Sequence, residues 1–230
     1  MARGLAEAGA DVIVAGRTVP QLEAVVSRIV EDGGRARAVE LDISNPATLA
    51  EWTDRIWEET GGVDAVVHSA GAQRRAPALE VSVEDWERIQ AVNLAGPFFL
   101  SQALARRQLD DDRGGSHVFV ASLTTTIGIR HAAPYAASKS GVAGVVRTLA
   151  AEWSDRGVRV NAIAPGYYRT PLTEGSFADA ERSAWIRSRI PMGRVGEPDD
   201  LAGAVVFLAS EASAYITGAI VPVDGGWLAT

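Results

Sequence analysis

The sequence contains no cysteine, which excludes disulfides, thiolate chemistry and zinc sites with cysteine ligands. Histidine is also scarce, with 3 residues in 230, and none has a spacing typical of metal ligands. Acidic residues outnumber basic ones, 29 against 22, and the net charge of -7 argues against a nucleic-acid partner. No apolar run approaches the roughly 18 residues of a membrane span, and the first residues do not resemble a signal peptide. We therefore expect a soluble, cytoplasmic protein that binds neither a metal ion nor a membrane.

Apolar segments of strand length alternate with helical segments along the whole chain. Strands are predicted at 11–15, 36–41, 64–69, 116–121, 159–163 and 219–223. Helices are predicted at 20–31, 46–60, 83–108, 134–155 and 198–209. No linker rich in proline, glycine or serine separates these segments. The alternation predicts a single α/β domain with a parallel sheet.

One segment brings a hydroxyl, a phenol and an ammonium within reach of one carbon atom. Ser122 follows the apolar run 117–121, so its hydroxyl is expected at the carboxyl edge of a parallel sheet, where such sheets bind ligands. Pro134 can open a helix on which Tyr135 and Lys139 share one face, with Cβ atoms roughly 5–6 Å apart. An ammonium about 4 Å from the phenol would lower its pKa by roughly three units. An ordinary helix with an exposed tyrosine and lysine is the alternative.

These residues resemble the short-chain dehydrogenase/reductases, whose pattern is a serine, a spacer and then Y-x-x-x-K. The resemblance continues through HSAG at 68–71, VNLAG at 92–96, VRVNAIAPGYYRT at 158–170 and VDGGW at 223–227. It implies a Rossmann-type, doubly wound parallel sheet and hydride transfer between NAD(P) and an alcohol or ketone. It also implies that Tyr135 is the general acid/base, that Lys139 lowers its pKa and holds the ribose, and that Ser122 binds the substrate oxygen.

Asn93 is the fourth catalytic residue that the resemblance implies. Ser82 and Asp85 can open its helix as a capping box. The Gly-Pro pair ending at Pro97 is expected to interrupt that helix, because proline cannot donate a hydrogen bond to the Asn93 carbonyl. In the family the matching asparagine anchors a water that relays protons to the lysine. A polar residue tolerated at a kink is the alternative.

Residues 1–8 have helical propensity, and the strand and T-G-x-x-x-G-x-G loop that precede this helix in the family are absent. In the family that strand lies centrally in the sheet, and the loop approaches the pyrophosphate. We therefore expect a gap in the sheet, although each unpaired buried backbone group costs roughly 1–3 kcal/mol. A truncated or misassigned start is favoured over a short paralogue that is inactive or binds another ligand.

The resemblance also assigns the contacts to the cofactor. Arg17 stands where a basic residue pairs with the 2'-phosphate of NADP, and Gly16 where an acidic residue would bind NAD, so NADP is favoured. Asp42 and Ile43 match residues that contact the adenine, although a turn or capping role for Asp42 is an open alternative. The other predicted contacts are Ser69, Ala70, Gly71, Tyr135, Lys139, Pro165, Gly166 and Thr170, the last as a hydroxyl donor to the carboxamide.

Basic residues occur where the family places its substrate pocket: Arg74, Arg75, Arg130, His131 and Arg169. One or two arginines could bind a carboxylate bidentately, whereas a solvated arginine is the alternative for each one. With AGAQRRAPALE, APGYYRT and VDGGWLA, these residues resemble the sugar-acid branch of the family, similar to gluconate 5-dehydrogenases and 2-deoxy-D-gluconate dehydrogenases. Segment 170–189 is predicted to be a mobile loop that covers the substrate.

Two other functions stay open at this point. A 3-oxoacyl-carrier-protein reductase is the rival enzyme, and a non-catalytic binding protein without affinity for a dinucleotide is the alternative from another class. The resemblance further implies a homodimer or homotetramer assembled through helices 83–108 and 134–155 and the C-terminal strand.

Overall fold

The computed structural model of this 230-residue protein describes residues 1–170, Thr173, Phe177 and 179–230. The strands are β1 (Asp11–Gly16), β2 (Arg35–Glu40), β3 (Ala65–His68), β4 (Gly115–Val120), β5 (Val158–Pro165) and β6 (Ile220–Val223). The α-helices are α1 (Ala2–Glu7), α2 (Val19–Glu31), α3 (Leu49–Thr60), α4 (Val83–Gln90), α5 (Gly96–Asp110), α6 (Ala133–Trp153), α7 (Ala180–Ser188) and α8 (Ala202–Ala209). All six predicted strands are confirmed, with ends that differ by at most two residues.

Every strand pair among the described residues is parallel, which confirms the predicted α/β class. The strands form two sheets, one with the order β1-β2 and one with the order β3-β4-β5-β6. The division agrees with the expected gap in the sheet. Because parallel strands all end at the same edge, the segments after β3, β4 and β5 are brought together.

Helices cover both faces of the four-stranded sheet. Phe119 and Ala162 belong to a buried cluster that includes residues of α6, whereas Val118 and Ile163 pack with residues of α8 on the opposite face. Neighbouring residues of one strand point to opposite faces, so the two clusters alternate along β4 and β5. This arrangement confirms the doubly wound, Rossmann-type fold.

The predicted helix 83–108 is divided into three parts. Ser82 caps α4 as expected, since its Oγ accepts a hydrogen bond of 3.1 Å from the Asp85 backbone N–H. The predicted interruption takes the form of a π-helical turn at Ala91–Ala95, after which α5 begins. Pro97 lies in the first turn of α5 and has no N–H to donate to the carbonyl of Asn93, four residues earlier. The chain thus continues as a helix rather than breaking at the Gly-Pro pair.

Part of the predicted mobile loop is helical. Of segment 170–189, positions 171, 172, 174–176 and 178 lie outside the described residues. Residues 180–188 form α7. Asp179 caps the N-terminus of this helix, because its side chain accepts a 3.0 Å hydrogen bond from the Arg182 backbone N–H. A loop was therefore the wrong expectation for this half of the segment. Within the described ranges, no helix is both long and apolar enough to cross a membrane.

Candidate active site

Ser122 lies at the carboxyl edge of the sheet, two residues after β4 ends. Its backbone is extended, and its Oγ accepts a 3.2 Å hydrogen bond from the Thr124 backbone N–H, which opens a short 3-10 turn. Ser122 is buried, with 8% of its surface exposed. The predicted position of Ser122 is confirmed.

Tyr135 and Lys139 lie one turn apart near the start of α6, with Pro134 in the first turn as expected. The Lys139 ammonium donates a 2.6 Å hydrogen bond to the Val120 carbonyl at the end of β4. It also lies 5.8 Å from the centroid of the Tyr135 ring. Lys139 is the only lysine in the sequence and is buried, with 4% of its surface exposed.

The pKa of Tyr135 differs from the expectation. Burial raises the pKa of the phenol above its ordinary value of 10, and the nearby Ser122 hydroxyl and the Arg75 charge oppose that rise. Burial also lowers the pKa of Lys139 to about 8. The expected lowering of the Tyr135 pKa is therefore not seen in this structure: desolvation is the largest effect on the phenol, and the groups that oppose it are Ser122 and Arg75 rather than Lys139.

We expect Lys139 to titrate near pH 8, about two units below an ordinary lysine, because burial disfavours the charged ammonium. The protein carries one lysine, so protein labelled with ¹⁵N-lysine should give a single side-chain signal whose pH dependence reports this group alone. The matched control is the same titration in urea-unfolded protein. A folded-state midpoint at the unfolded value would contradict the burial of Lys139.

Asn93 connects the segment after β3 to α6. Its side-chain amide donates to the Ala72 carbonyl (2.9 Å) and to Ser138 Oγ (3.0 Å), and its Oδ1 accepts from the Ala72 N–H (2.7 Å). Ser138 Oγ in turn donates to the Tyr135 carbonyl (2.7 Å). The side chain of Asn93 thus braces the turn next to the tyrosine helix, while Pro97 leaves its backbone carbonyl without the usual donor.

Arg17, Asp42 and Ile43 lie just beyond β1 and β2. Arg17 is exposed and forms no ion pair within the described part of the chain. Hydrogen bonds from the Ser44 hydroxyl (2.6 Å) and backbone N–H (2.9 Å) to Asp42 Oδ1 lower the pKa of Asp42, and the charge of Arg17 adds a smaller effect. Oδ1 of Asp42 therefore stabilises a turn, as in the alternative role for this residue.

The turn at Ser69, Ala70 and Gly71 follows β3 and is exposed at the same edge. A Cβ atom on Gly71 would make only an ordinary contact of 3.9 Å with Asn93 Oδ1, so packing within the chain does not require glycine there. Pro165 ends β5, and Gly166 lies so close to Asp224 that an added Cβ would be 2.7 Å from its Cα. Thr170 was predicted to contact the cofactor together with Pro165 and Gly166, and its Oγ1 lies 3.0 Å from Thr173 Oγ1.

The predicted substrate arginines are not equivalent. Arg74 pairs with Asp85 (2.9 Å), and Arg169 pairs with Glu197 (3.9 Å). Arg130 is exposed and has no carboxylate partner within the described ranges.

Arg75, an exposed residue, is the predicted arginine whose charge acts on Tyr135. The Ala76 N–H donates to the His131 carbonyl (3.2 Å), which ties the Arg75 segment to the residues before α6. Burial and the nearby charge of Arg182 lower the pKa of Arg75, whereas Tyr167 and Tyr135 oppose this. Arg182 lies on α7, in the segment that the sequence predicts to be a loop, and is therefore not among the predicted substrate residues.

The fold and this site define the class of the protein. A parallel sheet covered on both faces, with Ser122, Tyr135 and Lys139 gathered at one carboxyl edge, is the arrangement of an oxidoreductase of the short-chain type. Residues 1–228 match a family model described as enoyl-(acyl carrier protein) reductase. The chain belongs to the short-chain dehydrogenase/reductase family.

Several relatives match the chain over nearly its whole length. The chain is 42% identical over 229 residues to a 2-dehydro-3-deoxy-D-gluconate 5-dehydrogenase of Escherichia coli K12, covering 100% of this chain and 90% of the relative. It is 35% identical over 226 residues to a gluconate 5-dehydrogenase of Gluconobacter oxydans, covering 98% and 88%. A crystal structure of a gluconate 5-dehydrogenase from Burkholderia cenocepacia, in complex with NADP and tartrate, is similar with a TM-score of 0.95 and 35% identity. That similarity covers 100% of this chain and 89% of that one.

Proposed function

We propose that this protein is an NADP-preferring oxidoreductase that interconverts an alcohol and a ketone on a sugar acid related to gluconate or deoxygluconate. The observation that carries the reaction type is the group formed by Ser122, Tyr135 and Lys139 at the carboxyl edge, with Lys139 bonded to the end of β4. The names of the relatives support the substrate class.

Each residue of this group has a separate task in the proposed reaction. A bound nicotinamide supplies the hydride or accepts it. Tyr135 Oη donates a proton to the substrate oxygen during reduction and removes one during oxidation. Ser122 Oγ holds that oxygen by a hydrogen bond, and the Lys139 ammonium stabilises the phenolate that remains on Tyr135. Asn93 holds the turn after β3 against α6 and supplies a backbone carbonyl for the proton-relay water.

The residues at the carboxyl edge fit a dinucleotide. Gly71 is exposed and is not required by internal packing, which suits the close approach of a ribose to the backbone. Arg17 offers a guanidinium without an ion pair in the described ranges, next to Asp42, whose Oδ2 has no hydrogen bond there. The proposed contacts to the cofactor are Arg17, Asp42, Ile43, Ser69, Ala70, Gly71, Tyr135, Lys139, Pro165, Gly166 and Thr170.

Arg17→Ala is expected to raise the Kd for NADPH roughly 10- to 100-fold, because a charge-assisted bond to the 2'-phosphate contributes about 1.5–3 kcal/mol. The Kd for NADH should change little, since NADH lacks that phosphate. Energy transfer from the 6 tryptophans to the reduced nicotinamide measures both constants. Arg28→Ala, at an exposed arginine in the last turn of α2, is the matched control. A parallel loss of NADPH and NADH affinity would contradict recognition of the phosphate by Arg17.

Arg75 is proposed to bind the substrate carboxylate, with Arg182 as the second cation. A guanidinium beside Tyr135 can hold the carboxylate end of a sugar acid while the reacting carbon faces the phenol. Arg74 and Arg169 already have carboxylate partners, which favours Arg75 over them as the substrate ligand. Arg130 is left as a secondary candidate.

Arg75→Met is expected to raise KM for a sugar acid roughly 10- to 100-fold, because the lost pairing is a charge-assisted bond of about 1.5–3 kcal/mol. The neighbouring Arg74→Met is the matched control and should change KM by much less, since the Arg74 guanidinium is already paired with Asp85. Steady-state kinetics with gluconate and with a neutral polyol of the same length measure the effect. An equal loss for the polyol would show that Arg75 does not recognise a carboxylate.

An acyl thioester is the second candidate substrate, favoured by the description of the family model. Turnover of a sugar acid without turnover of a 3-oxoacyl thioester would support the proposal, and the reverse would replace it. A folded protein without NADPH or NADH binding would instead favour a non-catalytic binding protein.

We further propose a cytoplasmic homo-oligomer, a dimer or tetramer, that assembles through α5, α6 and the C-terminal strand. An exposed Phe99 on α5 is available for such a contact. Sedimentation at several concentrations tests the assembly, and a monomer at all concentrations would exclude it.

A further inference from the structure

A chain of buried hydrogen bonds runs from Gln108 on α5 to His68, the last residue of β3. Gln108 donates from Nε2 to the Val63 carbonyl (2.9 Å), and its Oε1 lies 2.9 Å from Nε2 of His117. Ser101 Oγ lies 3.0 Å from Nδ1 of His117 and 2.6 Å from Nε2 of His68. All four of these side chains are buried.

The Val63 carbonyl determines where the protons in this chain lie. A carbonyl only accepts, so Gln108 must turn its NH₂ toward Val63 and its oxygen toward His117, which therefore carries a proton on Nε2. Burial lowers the pKa of His117 to about 3, so the ring is neutral and its Nδ1 accepts from the Ser101 hydroxyl. The Ser101 oxygen is then free to accept from Nε2–H of His68. This leaves Nδ1 of His68 as an acceptor without a proton.

Nδ1 of His68 has no hydrogen-bond partner within the described part of the chain, although the residue is only 4% exposed. The ring packs on Phe119, with centroids 4.4 Å apart, which restricts its rotation. Buried polar atoms in folded proteins nearly always have a partner, either protein or water. A donor to this nitrogen is therefore required.

The Lys139 ammonium lies on the side of β4 that faces His68. The Ala121 N–H points to the Ile163 carbonyl on β5. Backbone groups of successive strand residues point to opposite neighbours, so the Val120 carbonyl points toward β3, which ends at His68. The ammonium is bonded to that carbonyl, and two of its three N–H donors are left for other partners.

We propose that His68 is a positioning residue for Lys139: its Nδ1 accepts a hydrogen bond from a single water molecule that also accepts one from the Lys139 ammonium. The titratable groups that face Lys139 are His68 from β3 and Tyr135 from α6, and those that face His68 are His117 from β4 and Lys139 itself. The inference rests on the proposed function, in which the placement of this ammonium stabilises the phenolate. The chain from Gln108 to His68 keeps the acceptor free of a proton.

Two substitutions at His68 separate its two nitrogens. An asparagine amide can replace Nδ1 but does not reach Ser101, whereas a glutamine amide reaches the position of Nε2 but not that of Nδ1. We expect the titration midpoint of Lys139 to stay near the wild-type value in His68→Asn. In His68→Gln it should fall by about one pH unit, because a hydrogen bond to a charged group is worth roughly one pKa unit. Equal midpoints in the two variants would overturn the proposal.

Serine variants provide a matched pair of controls. Ser101→Ala removes the acceptor for Nε2 of His68 and is expected to lower the midpoint part of the way. Ser116→Ala should leave it unchanged, because this buried serine bonds to the Leu208 carbonyl on the opposite face of the sheet. A shift of the same size in both variants would show a general loss of packing and overturn the specific role of His68.

The tautomer of His68 can be measured in the wild-type protein, even if a variant does not fold. We expect the ¹⁵N spectrum to show a protonated Nε2 and an unprotonated Nδ1, and the opposite tautomer would overturn the proposal. Neither measurement requires turnover. Absence of sugar-acid turnover would therefore refute the proposed function alone, whereas a missing difference between the Asn and Gln variants would refute the role of His68 alone.

Discussion

Replacing Tyr135 by phenylalanine is expected to lower kcat roughly 10²- to 10⁴-fold, which is the range that a general acid/base contributes. The variant keeps the aromatic ring that lies 5.8 Å from the Lys139 ammonium, and it loses only the hydroxyl that would carry the proton. The Kd for NADPH should therefore change little. Steady-state kinetics with a sugar acid give kcat, and tryptophan energy transfer gives the Kd on the same preparation.

Tyr215→Phe is the matched control for this substitution, because Tyr215 is fully exposed (104%) and lies outside the candidate site. It should change neither kcat nor the Kd for NADPH. Retained turnover in Tyr135→Phe would refute the assignment of the general acid/base. A loss of NADPH binding together with turnover would show that the hydroxyl acts on the cofactor rather than on the reacting oxygen.

The strands are the part of the fold that the sequence predicts well. Parallel strands covered on both faces read as continuous apolar runs, as at 117–121, and their ends are set by turn residues. The helix α7 is hard to predict because it buries only Ser183 and Ile186, which leaves almost no apolar periodicity. The π-helical turn at Ala91–Ala95 contains Asn93, whose side chain makes long-range bonds that local propensity does not describe.

The positions of the proposed catalytic residues are predictable because they follow from the order of the strands and helices. A serine just past a buried strand and an i, i+4 pair at a helix start must meet at one sheet edge. The two adjacent arginines Arg74 and Arg75 are a different case. They have the same residue type and neighbouring positions, yet one is neutralised by Asp85 and the other lies near Tyr135. Only the tertiary fold distinguishes them.

The direction of the Tyr135 pKa shift could not be predicted from spacing either. The sequence places a cation near the phenol, which alone would lower its pKa. Burial acts in the opposite direction and depends on how completely α6 and the segment after β4 exclude water. Desolvation is the largest effect on Tyr135 and on Lys139 in the folded protein. A spacing argument contains no information about burial.

Gly96, the first residue of α5, packs against the backbone of Ile43, a residue that is proposed to contact the adenine. A Cβ atom added at Gly96 would overlap the Ile43 carbonyl oxygen and come within 2.7 Å of Ile43 Cγ1. A backbone carbonyl cannot rotate away as a side chain can. The close approach of this segment to α5 therefore requires glycine, even though the backbone angles of Gly96 are those of an ordinary helix.

Gly96→Ala is accordingly expected to lower the free energy of unfolding by about 1–3 kcal/mol, as overpacking does in closely packed interiors. The same change should weaken NADPH binding, because the displaced carbonyl belongs to Ile43, next to Asp42. Urea denaturation and tryptophan energy transfer measure the two effects.

Gly144→Ala on α6, where an added Cβ meets nothing within 4 Å, is the matched control. It should be neutral or stabilise the helix by up to about 1 kcal/mol, since alanine is the better helix former. A Gly96→Ala variant as stable as Gly144→Ala would mean that the Ile43 segment moves freely, and its fixed position could then contribute nothing to cofactor binding.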